Sequence, residues 1–261
     1  MKKFTNILAP KYFIPSLLLS GVVILLFSLS SSSQKQSPTT TGAGEQQQQN
    51  NRPVLNSDLR IRPGYKTYDA YIQRQLNKTL NPKLRQVWTT RDWDRKINVF
   101  SKFFSQLKDH RLLQNSSRAL CIGARVGQEV EALKRVGVSN SVGIDLVPYP
   151  PLVIRGDFHN QPFGNDTFEF EFSNVFDHAL YPEKFIGEIE RTLKPGGICV
   201  IHVSLSKRAD KYSANDLYSV EPLKALFQRS ELVRTRKIDG FGLDTEVVFR
   251  KKGNSELIKR F

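Results

Sequence analysis

Along the chain the apolar positions change period several times, and each change predicts an element. Residues 14–29 (IPSLLLSGVVILLFSL) are the apolar heart of an uncharged stretch from Tyr12 to Gln34. At 1.5 Å per residue that heart covers about 24 Å, slightly short of a hydrocarbon core of about 30 Å, and Tyr12, Phe13 and the serines extend it to the interfaces. Residues 30–52 then hold almost no apolar side chain. From there apolar and aromatic positions return at helical spacing, first at Tyr68, Tyr71, Ile72, Gln75 and Leu76. Trp93, Ile97, Phe100, Phe104 and Leu107 follow at steps of four, three, four and three, which marks one face of a helix. Shorter apolar runs come next: Ala119–Ile122, Val142–Ile144, Val153–Ile154, and the alternating Phe168, Phe170 and Phe172, which suit a strand with one strongly buried face. A helix over Pro182–Leu193 is expected to stop at Lys194-Pro195-Gly196-Gly197 and to lead into a strand from Ile198 to Leu205. Only six residues separate Asp145 from Leu152. Parallel strands need a crossover of a dozen or more, so the second crossover helix is expected to be missing and the third strand to be an irregular edge segment.

These patterns divide the chain. Residues 1–11 are expected to be a cytoplasmic N-terminus and 12–30 a transmembrane signal anchor, because Lys2, Lys3 and Lys11 precede the apolar stretch and little charge follows it. A cleaved signal peptide is the competing reading, since Ser28-Leu29-Ser30 offers small residues. Residues 31–52, rich in Ser, Thr, Gln and Gly, are expected to be a disordered stem. A helical extension (53–117), an α/β domain (118–252) and a basic tail (253–261) follow. Such a layout resembles single-pass type II membrane proteins of the secretory pathway, with the folded domain in the lumen of the endoplasmic reticulum or Golgi. Three glycosylation sequons, beginning at Asn77, Asn115 and Asn165, are compatible with it.

Candidate chemistry concentrates between Ala119 and Asp145, which read as strand, glycine turn, helix, strand and acid. Gly123 and Gly127 let the backbone turn tightly and a ligand approach, and the next helix offers unpaired N–H groups. Asp145, about 20 residues beyond the turn, stands where a carboxylate grips two ribose hydroxyls. That spacing alone fits a dinucleotide or S-adenosylmethionine (SAM).

The motifs that follow separate the two. Gly156-Asp157-Phe158, Gln161-Pro162-Phe163, Asp166-Thr167-Phe168-Glu169-Phe170 and Lys194-Pro195-Gly196-Gly197 occur in that order. In this the sequence resembles the class I SAM-dependent methyltransferase superfamily, in particular the methyltransferase type 11 group, over residues 117–205. The whole chain is similar to a plant membrane-anchored group. The resemblance implies a Rossmann-like α/β sheet, mostly parallel with an antiparallel last strand. It implies SAM as cofactor, with Gly123, Ala124 and Gly127 under the methionine part and Asp145 on the ribose. Asp157 and Phe158 would border adenine, and Asn174 would face the sulfonium methyl and the acceptor. Of the other site residues, Arg125 replaces the family's middle glycine, where its guanidinium either clamps the SAM carboxylate or its stem fills cofactor space. Cys121 replaces the usual acid. For catalysis His178 is the candidate base, with Asp177 beside it, and the alternative for His178 is a structural hydrogen bond at the strand end. No metal-ligand cluster is expected.

Charge adds a partner class. The chain carries a formal net charge of +14, yet residues 119–205 hold 7 Lys/Arg against 11 Asp/Glu, leaving 32 against 14 elsewhere. A basic periphery suits an acidic acceptor or anionic lipid, and equally a solvated surface. No compact basic run or RNA-binding aromatic signature is present, so nucleic acid is not the expected partner. Oligomeric state is not legible. The expected function is methyl transfer from SAM to an unidentified acceptor, leaning to oxygen because no Asn-Pro-Pro signature follows the fourth strand. The alternative is a catalytically silent methyltransferase-like scaffold. Cys121 and Cys199, read two strands apart, are expected to be buried free thiols, because two steps of sheet spacing exceed disulfide reach.

Overall fold

A computed structural model describes residues 58–206 and 211–253. The expected cytoplasmic segment, anchor and stem lie outside the described residues, as does the basic tail beyond Gly253. No helix among the described residues is long and apolar enough to cross a membrane.

The elements run β1 (Leu59–Ile61), α1 (Tyr68–Thr79), α2 (Pro82–Thr89), α3 (Trp93–Asp109), β2 (Ala119–Ile122), α4 (Gln128–Arg135), β3 (Ser141–Asp145), β4 (Val153–Arg155) and β5 (Phe168–Ser173). A 3-10 turn (Phe176–His178) leads to α5 (Pro182–Thr192), β6 (Leu193–Val203), β7 (Asn215–Leu217), α6 (Glu221–Leu226), β8 (Ser230–Gly240) and β9 (Leu243–Lys251). Local chemistry sets the early boundaries. Thr67 Oγ1 accepts the Ala70 N–H at 3.1 Å to start α1, and Asn81 Oδ1 accepts the Leu84 N–H at 3.2 Å ahead of Pro82 in α2.

A seven-stranded sheet has the order β4-β3-β2-β5-β6-β9-β8. Its first five strands are mutually parallel, while β9 runs antiparallel to both of its neighbours. The sheet is therefore mostly parallel with an antiparallel last strand. Among the described residues no helix joins β3 to β4; the chain turns back through a cis Pro150-Pro151 bond, and β4 pairs in regular register with β3 at the sheet edge.

Both sheet faces are covered. On one, α3 and α4 bury Ile97, Phe100, Phe104, Val130 and Leu133 against Cys121, Phe170, Phe172 and Val200. On the other, α5 and α6 bury Phe185, Ile186, Ile189 and Leu223 against Leu120, Ile122, Cys199 and Ile201. Cys121 and Cys199 are buried free thiols, with β5 between their strands and on opposite faces of the sheet.

Three details differ from the sequence reading. Phe168 packs with Phe163 in the α5 layer, not with Phe170 and Phe172, because β5 shifts register against β6 between Phe168 and Phe170. Lys194-Pro195-Gly196-Gly197 forms an irregular start to β6, and this strand runs Leu193–Val203 where Ile198–Leu205 is expected. The extension also carries a strand that no periodicity of three residues could reveal: β1 pairs antiparallel with β7.

Glu171, on β5, is fully buried, and burial pushes its carboxyl up from 4.5 to about 8 despite Thr192, Lys251 and Arg191. Hydrogen counting agrees. Thr192 Oγ1 sits 2.7 Å from Glu171 Oε1 and 2.9 Å from the Glu188 carbonyl oxygen, and one hydroxyl proton cannot serve both. With Glu171 protonated, its own O–H can donate to the hydroxyl and leave the Thr192 proton for the Glu188 carbonyl. A carboxyl whose pKa rises on folding contributes stability that is fully present below its unfolded pKa and is lost as pH rises through the folded one. Glu171→Gln is therefore expected to gain several kcal/mol relative to the native chain between pH 5 and pH 8. Urea titrations at several pH values check this, and parallel curves for the two proteins would refute it.

Candidate active site

The C-terminal ends of β2, β3 and β5 deliver most of the residues singled out in the sequence. A cavity of about 450 Å³ opens there, and Gly123, Arg125, Asp145, Asp157, Phe158, Asn174, Asp177 and His178 all line it. That volume lies within the range of small-molecule sites, and the position is where open α/β sheets place their ligands.

The floor is the turn after β2. Gly123 and Ala124 donate their N–H groups to the Ile144 carbonyl at 2.9 and 3.0 Å, tying the turn to β3. Gly123 has φ +73°, and a Cβ there would lie 2.4 Å from Val175 Cγ2. Ala124 and Gly127 do not line the cavity. The Ala124 Cβ is in close approach to Gly143, and Gly127, at φ +88°, packs against Leu152. Arg125 takes φ +50°, a left-handed conformation that favours glycine. Its guanidinium lies over the Trp88 ring, 5.1 Å from the centroid.

Asp145 ends β3. Its Oδ2 accepts the Arg125 N–H at 2.9 Å and its Oδ1 the Val147 N–H at 3.3 Å. Burial raises its pKa, against the pull of those two amides and the Arg125 charge. Asp157 is bound differently: burial would raise it, but hydrogen bonds from His159 and the Tyr68 hydroxyl outweigh burial and leave it below the usual carboxylate range. Phe158 stands edge-on to Phe185, with ring centroids 5.2 Å apart.

At the other end, Asn174 Nδ2 donates to Glu129 Oε1 at 3.1 Å. Asp177 accepts from Ser213 Oγ at 2.5 Å. Gln75 Nε2 donates to the Tyr212 carbonyl, which turns Gln75 Oε1 toward His178 Nδ1 at 3.1 Å. Nδ1 therefore carries the proton, leaving Nε2 as an acceptor 3.1 Å from Lys78 Nζ.

The roof comes from the extension. Tyr71, Ile72, Gln75 and Lys78 of α1, Trp88 of α2 and Lys96 of α3 line the cavity. The pattern from Tyr68 to Leu76 marks α1 as amphipathic, but nothing in the local sequence says that its buried face covers a cavity. Glu129, also not singled out, is 1% exposed and sits behind Asn174; no motif announces it.

The family model described as a methyltransferase domain matches residues 120–201. The crystal structure of Burkholderia thailandensis 1,6-didemethyltoxoflavin-N1-methyltransferase, with bound 1,6-didemethyltoxoflavin and S-adenosylhomocysteine, superposes with a TM-score of 0.57. It is 17% identical, over 75% of this chain and 95% of that one. The fold is that of the class I SAM-dependent methyltransferases. A SAM-dependent methyltransferase structure from Aquifex aeolicus is also similar, at a TM-score of 0.46 and 18% identity over 56% of this chain and 88% of that one. No curated protein matches. Within the methyltransferase domain, the sheet order and the antiparallel β9 follow from the strand pairings alone, and the matched segment runs from β2 to β6.

Proposed function

We propose that the chain is a SAM-dependent methyltransferase acting on an unidentified acceptor, with a lean to an oxygen nucleophile. The observation that carries this is convergence: Gly123, Arg125, Asp145, Asp157, Phe158 and Asn174, spread over 52 positions of sequence, line one cavity at the carboxyl ends of parallel strands. The donor set suits SAM. Asp145 has acceptor capacity left for two ribose hydroxyls, Asp157 and Phe158 line the same cavity and would border the adenine, and Arg125 offers a cation to the amino-acid end. When bound, SAM supplies an electrophilic methyl on a sulfonium, so the protein has to align the acceptor and exclude water. The α1–α2 roof serves that exclusion.

His178 Nε2 is the group placed to take a proton from an acceptor hydroxyl, with Lys78 displaced from it and Gln75 holding the ring by Nδ1. His178→Asn is expected to lower kcat by 10²- to 10⁴-fold while leaving S-adenosylhomocysteine affinity within about twofold. Scoring turnover as S-adenosylhomocysteine released in the presence of hydroxyl- and carboxyl-bearing acceptors, acidic ones included, tests both statements. An unchanged kcat would return His178 to a structural role.

We propose further that residues 12–30 anchor the chain as a single-pass type II membrane protein of the secretory pathway, as in the plant group that the sequence resembles. The sequon asparagines Asn77, Asn115 and Asn165 are all exposed, as glycan acceptors must be. Carbonate extraction and an endoglycosidase mobility shift test the anchor and the lumenal side separately.

A further inference from the structure

Two cations in the cavity wall, Lys96 and Arg125, have no direct ionic partner among the described residues. Lys96, on α3, is 6% exposed overall and lines the cavity. Among the described residues its ammonium has no hydrogen-bond acceptor and no carboxylate oxygen within 4.0 Å. What backs it is the Phe241 ring, 5.1 Å from centroid to Nζ. Arg125 is in the same position: its guanidinium forms no ion pair among the described residues, its Nε is buried without a hydrogen-bond partner, and Trp88 backs it at 5.1 Å. The two charges are close enough that Arg125, after burial, helps push the Lys96 ammonium down to about 8. A buried cation is costly unless paired. The nearby carboxylates are Glu129 and Asp92, which pull the other way on Lys96, and Asp145, which feels the Arg125 charge. Among the described residues none of these carboxylates forms an ion pair with Lys96 or Arg125, and Glu129 Oε2 is buried with no hydrogen-bond partner.

We infer that Lys96 and Arg125 together form a carboxylate-binding corner of the cavity, which receives the amino-acid end of the cofactor. This rests on the reading of the cavity as a SAM site. Lys96 comes from the extension, outside the segment that matches the methyltransferase domain model, so the extension supplies part of the cofactor site as well as its roof. Trp88 and Phe241 back the two cations by their faces, a contact that uses none of their N–H donors, which stay available to a carboxylate. Gln128 Nε2 fixes the Trp88 carbonyl at 2.9 Å, which ties the aromatic bracket to the first turn of α4.

The test uses two ligands that differ at that end. S-adenosylhomocysteine carries the amino-acid carboxylate and 5′-methylthioadenosine lacks it, while both keep adenine and ribose. Calorimetric titration into the full-length native protein, Lys96→Met and Lys96→Arg is read for each ligand, with thermal melting as a check on folding. Lys96→Met should weaken S-adenosylhomocysteine by 10- to 100-fold, the loss expected for a hydrogen bond between charged groups, and leave 5′-methylthioadenosine within twofold. Lys96→Arg, which keeps the charge, should recover most of the affinity. Equal losses for both ligands would mean that Lys96 shapes the cavity and does not read the carboxylate, and no loss for either would overturn the corner outright. A native protein that binds neither ligand would overturn the SAM site itself, and this inference with it.

Discussion

Asp145→Ala is expected to weaken S-adenosylhomocysteine binding by about 100-fold or more. Two ribose hydroxyls donating to a buried carboxylate are each worth roughly 1.5–3 kcal/mol, and alanine removes both acceptors. The same change frees the Arg125 and Val147 N–H groups that Asp145 now accepts at 2.9 and 3.3 Å, so the turn under the ligand loosens as well. Asp145→Asn separates the two effects, since its one carbonyl oxygen can keep the Arg125 amide while offering the ribose a weaker, neutral partner. An intermediate loss for asparagine, and the full loss for alanine, would assign the affinity to the hydroxyl contacts. The pH dependence has a definite sign. Because burial holds the Asp145 pKa above its ordinary value, the charged acceptor is lost as pH falls through that raised value, and affinity should fall with it. Calorimetry from pH 8 down through the ordinary carboxylate range to pH 4 measures this, and an affinity that is flat in pH and indifferent to both substitutions would remove Asp145 from the site.

Most of the sheet was legible because its physics is local. The glycine turn after Ala119–Ile122, the acid closing the next strand and the short Asp145–Leu152 connection each constrain the backbone within a few residues, and they fix the order of β2, α4, β3 and β4. What failed was set by distant pairing. The period-two pattern of Phe168, Phe170 and Phe172 puts all three on one face, yet a register shift against β6 sends Phe168 to the other layer. β1 exists only because Asn215–Leu217 lies opposite it. The site divides in the same way. Residues at strand ends could be read from motif order, whereas Lys96, Trp88 and Glu129 sit on helices whose sequences signal burial and nothing more. Gly127, a motif glycine next to the cavity, packs against Leu152 and does not line the cavity.

The extension is part of the domain's core, and Phe104→Ala is the change that shows it most sharply. Phe104 is fully buried on α3, with its ring edge-on to Phe172 at 5.1 Å and to Phe170 at 6.2 Å. Deleting such a side chain leaves a cavity and costs about 3–5 kcal/mol, a large share of the 5–15 kcal/mol that holds a typical domain folded. For a chain of this size the melting temperature should fall by roughly 10 °C. The two tryptophans, Trp88 and Trp93, both lie in the extension, so their fluorescence reports the unfolding of α2 and α3, while hydrogen exchange of the β2, β5 and β6 amides reports the sheet. If α3 and the sheet form one cooperative unit, both probes shift together in the variant. An extension that unfolds on its own would move the fluorescence transition and leave the exchange of the sheet amides where it was. The outcome bears on function because α1 and α2 roof the cavity and α3 supplies Lys96. A ligand that needs the roof then stabilises both transitions equally, and binding, folding of the extension and closure of the sheet's open face become a single equilibrium.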